Sequence, residues 1–265
     1  VSDAPLPFRP RLAQHALLRC HFVDGRERIM LHDTRREEML EIGERELEVL
    51  LAADGTRDFD GIALAAVRRG VYRRASELRA ILLELAGRGL LDDGIAAEPP
   101  PIAAESVTRP LAPLPGYRFR CHRAGSCCMT YGSVPFSTEE ALRSRALVPD
   151  APGPAREERR FLPLFGSASE GGAAVALVDG RCAYLGSDAR CRIEVAGGTA
   201  GKPGGCRIYP ASLVDDGEAI RVSVAVECPC VLASLDAPDG GPLVAAATAA
   251  ELPASTRVPR LAREV

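Results

Sequence analysis

The spacing of apolar positions changes character several times along the chain. "ALLRCHFV" (16–23) and "RIMLHD" (28–33) read as strands on either side of "DGRE", where Asp24-Gly25 is a hairpin turn signal, and "EEMLEIG" adds a third short strand. Helical spacing follows. Leu47, Leu50 and Leu51 give "ERELEVLLAADG" one apolar face, closed by Gly55, and "DFDGIALAAVRRG" is a second helix with Asp58 or Asp60 as cap and Gly70 as stop. The third is the clearest, because Leu78, Ile81, Leu82 and Leu85 fall at i, i+3, i+4 and i+7, with Ser76 in a capping position.

A hairpin sheet followed by three helices is the pattern of a small winged helix, expected over 1–95. The run "EPPPIAAESVTRPLAPLPG" (98–116) has neither period and predicts a largely extended proline-rich linker, 96–116. Beyond it, Ser137 with Glu140 predicts a capping box for "TEEALRSRAL", and hairpins are expected to turn at Asp179-Gly180 and Asp216-Gly217. After the second turn Ile220, Val222, Val224 and Val226 share one face. Cys228 and Cys230 continue that parity, which predicts inward-pointing thiols at the mouth of a strand ended by Pro229. A cysteine domain is thus expected over 117–233, and a tail, 234–265, with a short helix in "PLVAAATAAEL". The fold class read from these patterns is α+β: a winged-helix domain plus a small cysteine-rich α+β domain nucleated by metal.

Composition narrows what such a chain does. At 265 residues a core of normal size is within reach, and no apolar run approaches the roughly 18 residues of a membrane span. Net charge is −3, so no global field favours nucleic acid or an anionic membrane, and neither is an expected partner. Arg68, Arg69, Arg73, Arg74, Arg79 and Arg88 do gather around the second and third helices, which keeps DNA contact open as a competitor to peptide docking. The opening "VSDAPLPFRP" lacks the pattern of an export signal, and a cytoplasmic location is expected.

Cysteine distribution is the strongest chemical signal. Eight of nine cysteines fall in four groups: Cys121, Cys127 and Cys128 in "CHRAGSCC"; Cys182 and Cys191 in "CAYLGSDARC"; Cys206 in "GGCRIYP"; Cys228 and Cys230 in "ECPC". Thiolates drawn from separate short segments are what tetrahedral zinc or an iron–sulfur cluster requires, while adjacent cysteines resist bonding to each other. In a reducing compartment, clustering of this kind points to metal or redox chemistry rather than a disulfide scaffold. Tyr117, Phe119, Tyr131, Phe136, Phe161, Phe165, Tyr184 and Tyr209 flank these groups and could supply an apolar shell. Gly125, Gly204 and Gly205 suit loops that bring backbone N–H groups close to sulfur. Cys20, alone on a predicted strand, reads as core. No Ser-His-Asp constellation, phosphate loop, dinucleotide signature or HExxH is present, so any catalysis would run through the metal.

Two resemblances carry these readings further. The run from the hairpin through "VLLAADGTRDFDGIALAAV" to "LRAILLELAGRGLLDDG" resembles PqqD-like domains over about residues 15–94. That resemblance implies a winged-helix module in which a peptide or partner segment adds as a strand beside the sheet. In the second half "FRCHRAGSCC", "VPFSTEE", "CAYL", "CRIE" and "KPGGCRIYP" resemble, in the same order, the motifs of the YkgJ-like zinc- or iron-chelating CxxCxxCC family. It implies metal ligation by Cys121, Cys127, Cys128, Cys182, Cys191 and Cys206, to which spacing and parity add Cys228 and Cys230. The expected cofactor is an iron–sulfur cluster, most simply one [4Fe-4S], with sulfurs enough for two; zinc is the alternative. Flagellin lysine N-methylases share the cysteine pattern, which raises cluster-dependent methyl transfer to a protein, and a redox- or zinc-responsive winged-helix regulator is a third reading. The chain departs from the family where Ala124 replaces the usual second cysteine, where Glu194 replaces an aromatic, and where "VAGGTAG" lengthens the loop before Lys202-Pro203. His122 is the candidate replacement ligand at the first of these.

Overall fold

The computed structural model describes residues 5–71, 74–94, 104–130, 135–163, 172–235, 239–253, 256 and 258–261. In chain order the first elements are β1 (Pro10–Leu12), β2 (Ala16–Val23), β3 (Arg26–Asp33), β4 (Glu38–Ile42), α1 (Glu44–Ala52), α2 (Phe59–Arg68), α3 (Ala75–Gly87) and β5 (Leu91–Asp93). Next come β6 (Leu111–Ala112), α4 (Cys127–Thr130), β7 (Pro135–Phe136), α5 (Thr138–Leu147), α6 (Glu157–Arg160), β8 (Phe161–Pro163), β9 (Ala173–Val175), β10 (Leu177–Val178) and β11 (Arg181–Cys182). The last are α7 (Arg192–Gly201), α8 (Gly204–Ile208), β12 (Ala211–Asp215), β13 (Ile220–Val224) and α9 (Pro229–Ala233). The chain is of mixed α+β class. Among the described residues no helix is long and apolar enough to cross a membrane.

Two compact units are formed, the first from Val1–Glu98 with Pro152–Ala183 and the second from Pro99–Ala151 with Tyr184–Val265. The expected division ran continuously, 117–233 for the cysteine domain. Residues 152–183 instead group with the N-terminal unit and carry Cys182 with them.

In the first unit β2, β3 and β4 form an antiparallel meander. Val23 pairs with Arg26 across a tight turn, for which Asp24 and Gly25 take φ of 50° and 74°. Positive φ at both central positions gives the turn a twist that matches its strands, which is why Asp-Gly serves here. The three helices follow as their spacing predicts. Asp58, not Asp60, caps α2 by accepting the Gly61 N–H at 2.9 Å. Ser76 is not a cap: α3 starts at Ala75 with Arg74 before it, so Ser76 lies inside the first turn. Leu78, Leu82 and Leu85 of α3 pack with Leu47, Leu50, Ile62, Leu18 and Leu31 into one core, and each such leucine contributes roughly 2 kcal/mol by leaving water. Cys20 belongs to this core and is 1% exposed.

Residues 152–183 join the first unit through backbone and charge. β10 lies parallel to β2, pairing Leu177 with His21, and β11 returns antiparallel through a turn at Asp179-Gly180, giving the sheet order β11-β10-β2-β3-β4. Asp179 N–H donates to the Phe22 carbonyl at 2.9 Å, and buried Arg159 pairs with Glu48 at 3.3 Å. Leu162 and Ala176 enter the core. A local apolar pattern states that a strand exists but not whose edge it will join.

In the second unit β12 and β13 form the hairpin expected at Asp216-Gly217, and β6 adds parallel to β13 with Leu111 beside Ile220. Part of the expected linker is therefore sheet; residues 96–103 of it lie outside the described residues. Two further expectations fail. β13 ends at Val224, Val226 is 69% exposed, and the chain turns so that Pro229 begins α9, with Cys228 just before it. Proline tolerates the first turn of a helix better than the interior of a strand. The parity argument for Cys228 and Cys230 thus does not hold, although both side chains are buried. "PLVAAATAAEL" forms only a single 3-10 turn, Ala249–Glu251. Its backbone is spent elsewhere: Leu111 N–H donates to Ala247 O, and Ala249 and Ala250 N–H donate to Arg109 and Val107 O.

Candidate metal centre

The first cysteine group is positioned from two sides. Phe119 exchanges both backbone hydrogen bonds with Gly241, at 2.9 and 3.0 Å, and Arg120 N–H donates to Ser234 Oγ at 3.0 Å. A Cβ on Gly240 would stand 2.9 Å from the Arg118 carbonyl carbon, so only glycine lets these two segments meet. Ser234 Oγ in turn donates to the Cys230 carbonyl at 2.5 Å, and Tyr117 OH donates to Val231 O at 3.0 Å. The result carries Cys121 alongside α9. There His122 N–H donates to Cys230 Sγ at 3.4 Å and Arg123 N–H donates to Cys121 Sγ at 3.4 Å.

From the other side, Gly125 (φ 70°) packs under the loop before Cys191, where a Cβ would stand 2.9 Å from Ala189 O. That loop is closed by its own backbone: Gly186 N–H donates to Arg190 O, and Arg192 N–H to Tyr184 O, both at 2.8 Å. Cys191 sits immediately before α7, and Cys127 opens α4 with its sulfur 3.9 Å from that of Cys128. The "VAGGTAG" insertion is helix rather than loop, interrupted at Gly198 (φ 67°), and packs Gly197 and Gly201 against Leu147 of α5.

Cys206 is placed by a carboxylate. The capping box forms as expected, with Glu140 N–H donating to Ser137 Oγ at 3.1 Å and Ser137 N–H to Glu140 Oε2 at 2.9 Å. The other oxygen of buried Glu140 accepts the Gly204 N–H at 2.8 Å, joining α5 to the helix that carries Cys206. Gly204 N–H is therefore used on a carboxylate and not on sulfur.

Cys121, Cys127, Cys128 and Cys191 line one pocket together with Arg123, Arg190, Lys202 and Glu194. Lys202, the single lysine of the chain, pairs with Glu194 at 3.5 Å. Burial would lower its ammonium, yet Glu194 and then the sulfurs of Cys206, Cys191 and Cys127 hold it above the ordinary lysine value. The thiols of Cys206, Cys127, Cys121 and Cys191 are pushed up. Burial does this first at Cys206, followed by Cys128, with Lys202 opposing. At Cys127 the neighbouring Cys128 thiol is the largest cause, then burial. Cys121, the most exposed of the group, is raised by the burial of its sulfur and by Cys230 and Cys127, against the Arg123 N–H and Lys202. Burial raises Cys191 against the Glu194 and Ile193 N–H groups. Cys228 and Cys230 pack with Val231, Tyr117, Phe119 and Tyr209, and burial followed by Cys228 and Cys127 raises the Tyr209 hydroxyl to about 12.

All nine thiols are unbridged. Among the described residues no three Cys, His, Asp or Glu side chains stand close enough to hold one metal ion as they are oriented. The donors ring a pocket instead of converging on a point. Their chemistry fits a thiophilic metal nonetheless: soft donors from separate segments, partly withdrawn from water, among cations. Cys182 lies on β11 of the first unit, and Cys20 in its core. At position 124 the side chain is exposed, and His122 meets a sulfur through its backbone. Tyr131 and Phe165 of the expected aromatic shell lie outside the described residues. Two contributors are not evident as such from sequence: Lys202, legible as the single lysine and as the start of "KPGGCRIYP" but not as a neighbour of the thiols, and Glu140, legible as a cap but not as a brace. Comparison of the chain with protein families, curated proteins and solved structures finds no match.

Proposed function

We propose that the second unit is a thiolate metal-binding domain holding an iron–sulfur cluster of the [4Fe-4S] type, its ligands drawn from Cys121, Cys127, Cys128, Cys191, Cys206 and Cys230. The observation that carries this is the gathering of unbridged thiols from separate segments around a pocket whose other charged groups are three cations and one carboxylate. That lining is positive by two charges, which is what four thiolates around Zn²⁺ or an oxidised cubane core leave unbalanced. Order and spacing of the motifs, as in YkgJ-like domains, agree with it. When bound, such a cluster supplies one-electron chemistry; the chain's own groups hold it and limit water. Iron with inorganic sulfide and a broad visible absorption are expected in anaerobically purified full-length protein. A colourless protein carrying zinc selects the second reading, and a metal-free protein removes both.

Zinc has one specific observation in its favour. Zn–S bonds of about 2.3 Å put two thiolates of a tetrahedral site about 3.8 Å apart. The Cys127–Cys128 separation of 3.9 Å is close to that value.

For the first unit the proposed role is to dock an extended peptide or partner segment, as in PqqD-like winged helices. With β10 beside β2, β4 is an outer strand of this sheet among the described residues and offers its edge for strand addition. Intramolecular use of the arginines argues against DNA: Arg69 pairs with Glu48 at 3.1 Å, Arg88 with Glu84 at 3.1 Å, and Arg79 stacks 5.6 Å from the Phe59 ring centre. Arg73 lies outside the described residues. Strand addition predicts slowed hydrogen exchange across Glu38–Ile42 when the partner segment binds, and unchanged exchange there would contradict it.

A further inference from the structure

The only lysine in the chain stands among the cysteines. Its backbone begins the Lys202-Pro203 step into α8, its side chain is 18% exposed, and it lines the same pocket as Cys121, Cys127, Cys128 and Cys191. The arginines of that pocket, Arg123 and Arg190, are both exposed. Lys202 is the cation drawn inward. Its position is held by α7 from one side, where Glu194 Oε2 lies 3.5 Å from Nζ, and by α8 from the other, through the Glu140–Gly204 bond at 2.8 Å.

A half-buried ammonium beside a carboxylate could be a mere brace between α7 and α8. Its surroundings say more. A brace needs only its partner, whereas this one lines a pocket with four thiols that become anionic on binding metal, and a charge in a partly dry site is felt strongly by its neighbours. We propose that Lys202 is the charge-compensating positioning residue of the thiolate site, stabilising the thiolates as metal binds, and that Glu194 restrains it by drawing the ammonium toward α7. Lys202 does not ligate; it acts through the sulfurs. Glu194 acts in the opposite sense, because a carboxylate at the same site repels the bound thiolates. This inference rests on the metal-binding reading given above.

Cobalt(II) titration of the full-length, metal-free chain tests it, read by the thiolate-to-cobalt charge-transfer absorption and by competition with a chelator of known affinity. Wild type binds. Lys202→Met is expected to weaken binding by roughly 10- to 100-fold, the usual effect of losing an outer partner of the ligands, while Lys202→Arg stays near wild type. Glu194→Gln is expected to bind as tightly as wild type or a few-fold tighter. Opposite signs for the two partners separate charge compensation from bracing. A brace would make both variants weaker, and that result overturns the proposal. Equal affinity of Lys202→Met and wild type overturns it as well and leaves the metal reading standing. Absence of a charge-transfer band in wild type removes the metal reading itself and the proposal with it. Should Lys202→Met fail to fold, judged by circular dichroism, Glu194→Gln decides alone, because weakened cobalt binding there contradicts the assigned sense.

Discussion

Position 125 must turn the chain with positive φ and lie flat against the Ala189 carbonyl, and both demands exclude a side chain. Gly125→Ala should therefore cost about 2 kcal/mol or more and separate Cys127 and Cys128 from Cys191, giving a lower melting temperature together with weaker metal binding. Asp215 makes a different kind of demand. It is fully buried, and burial alone would raise its carboxyl, but hydrogen bonds from the Ser106 hydroxyl, the Gly217 N–H and the Arg109 guanidinium hold it below the ordinary carboxylate range. A carboxyl lowered on folding contributes stability that is complete above its unfolded value and lost as pH falls through its folded one. Denaturant midpoints should be flat from neutrality down to about pH 5 and fall below about pH 4. Asp215→Asn should cost about 3 kcal/mol at neutral pH by leaving Arg109 without its anion, and should flatten the acid limb. An acid limb as steep as wild type in that variant would assign it to other groups, of which Asp33 and Asp216 are lowered in the same direction.

At the scale of elements, what could be read from sequence was whatever local spacing decides. Asp24-Gly25 fixed a hairpin, Leu78 to Leu85 a helix face, and Ser137 with Glu140 a helix start, because in each the determining partners lie within a few residues. Where the partner is distant, spacing was silent or misled. Val226 and Cys228 keep the parity of β13, yet the strand stops at Val224 and Pro229 opens a helix; the alanine-rich tail has helical composition, yet its Ala249 and Ala250 N–H groups go to the carbonyls of Arg109 and Val107. Candidate ligands were legible as residue types in groups, and their arrangement in one pocket was not, because it depends on contacts between segments far apart in sequence: Gly125 with Ala189, Gly240 with Arg118, and Gly204 with Glu140. Glu140 makes this testable. Glu140→Ala strands the Gly204 N–H and should cost about 1–3 kcal/mol; with α8 loosened, Cys206 is less well placed and metal affinity falls. Glu140→Gln keeps one acceptor and should lie between. Equal metal affinity in all three proteins would show that the brace does not position the site.

For the molecule as a whole, the division into units separates two kinds of chemistry. The first unit has a continuous apolar core, an occupied β2 edge and an edge strand at β4; seven cysteines belong to the second, whose described apolar clusters are smaller. A unit with little core gains much from a bound metal, since whatever binds only the folded form stabilises it by mass action. Chelation under reducing conditions is accordingly expected to lower the melting transition of the second unit more than that of the first, followed by hydrogen exchange at Ile220–Val224 against Leu78–Leu85. Sulfur alone should surround the metal, from cysteine thiolates and, in a cluster, from inorganic sulfide as well. X-ray absorption at the metal edge of the anaerobically purified full-length protein tests this most directly. A first shell of sulfur at about 2.3 Å, with no nitrogen or oxygen component, is the predicted result, and a shell dominated by nitrogen or oxygen would contradict it.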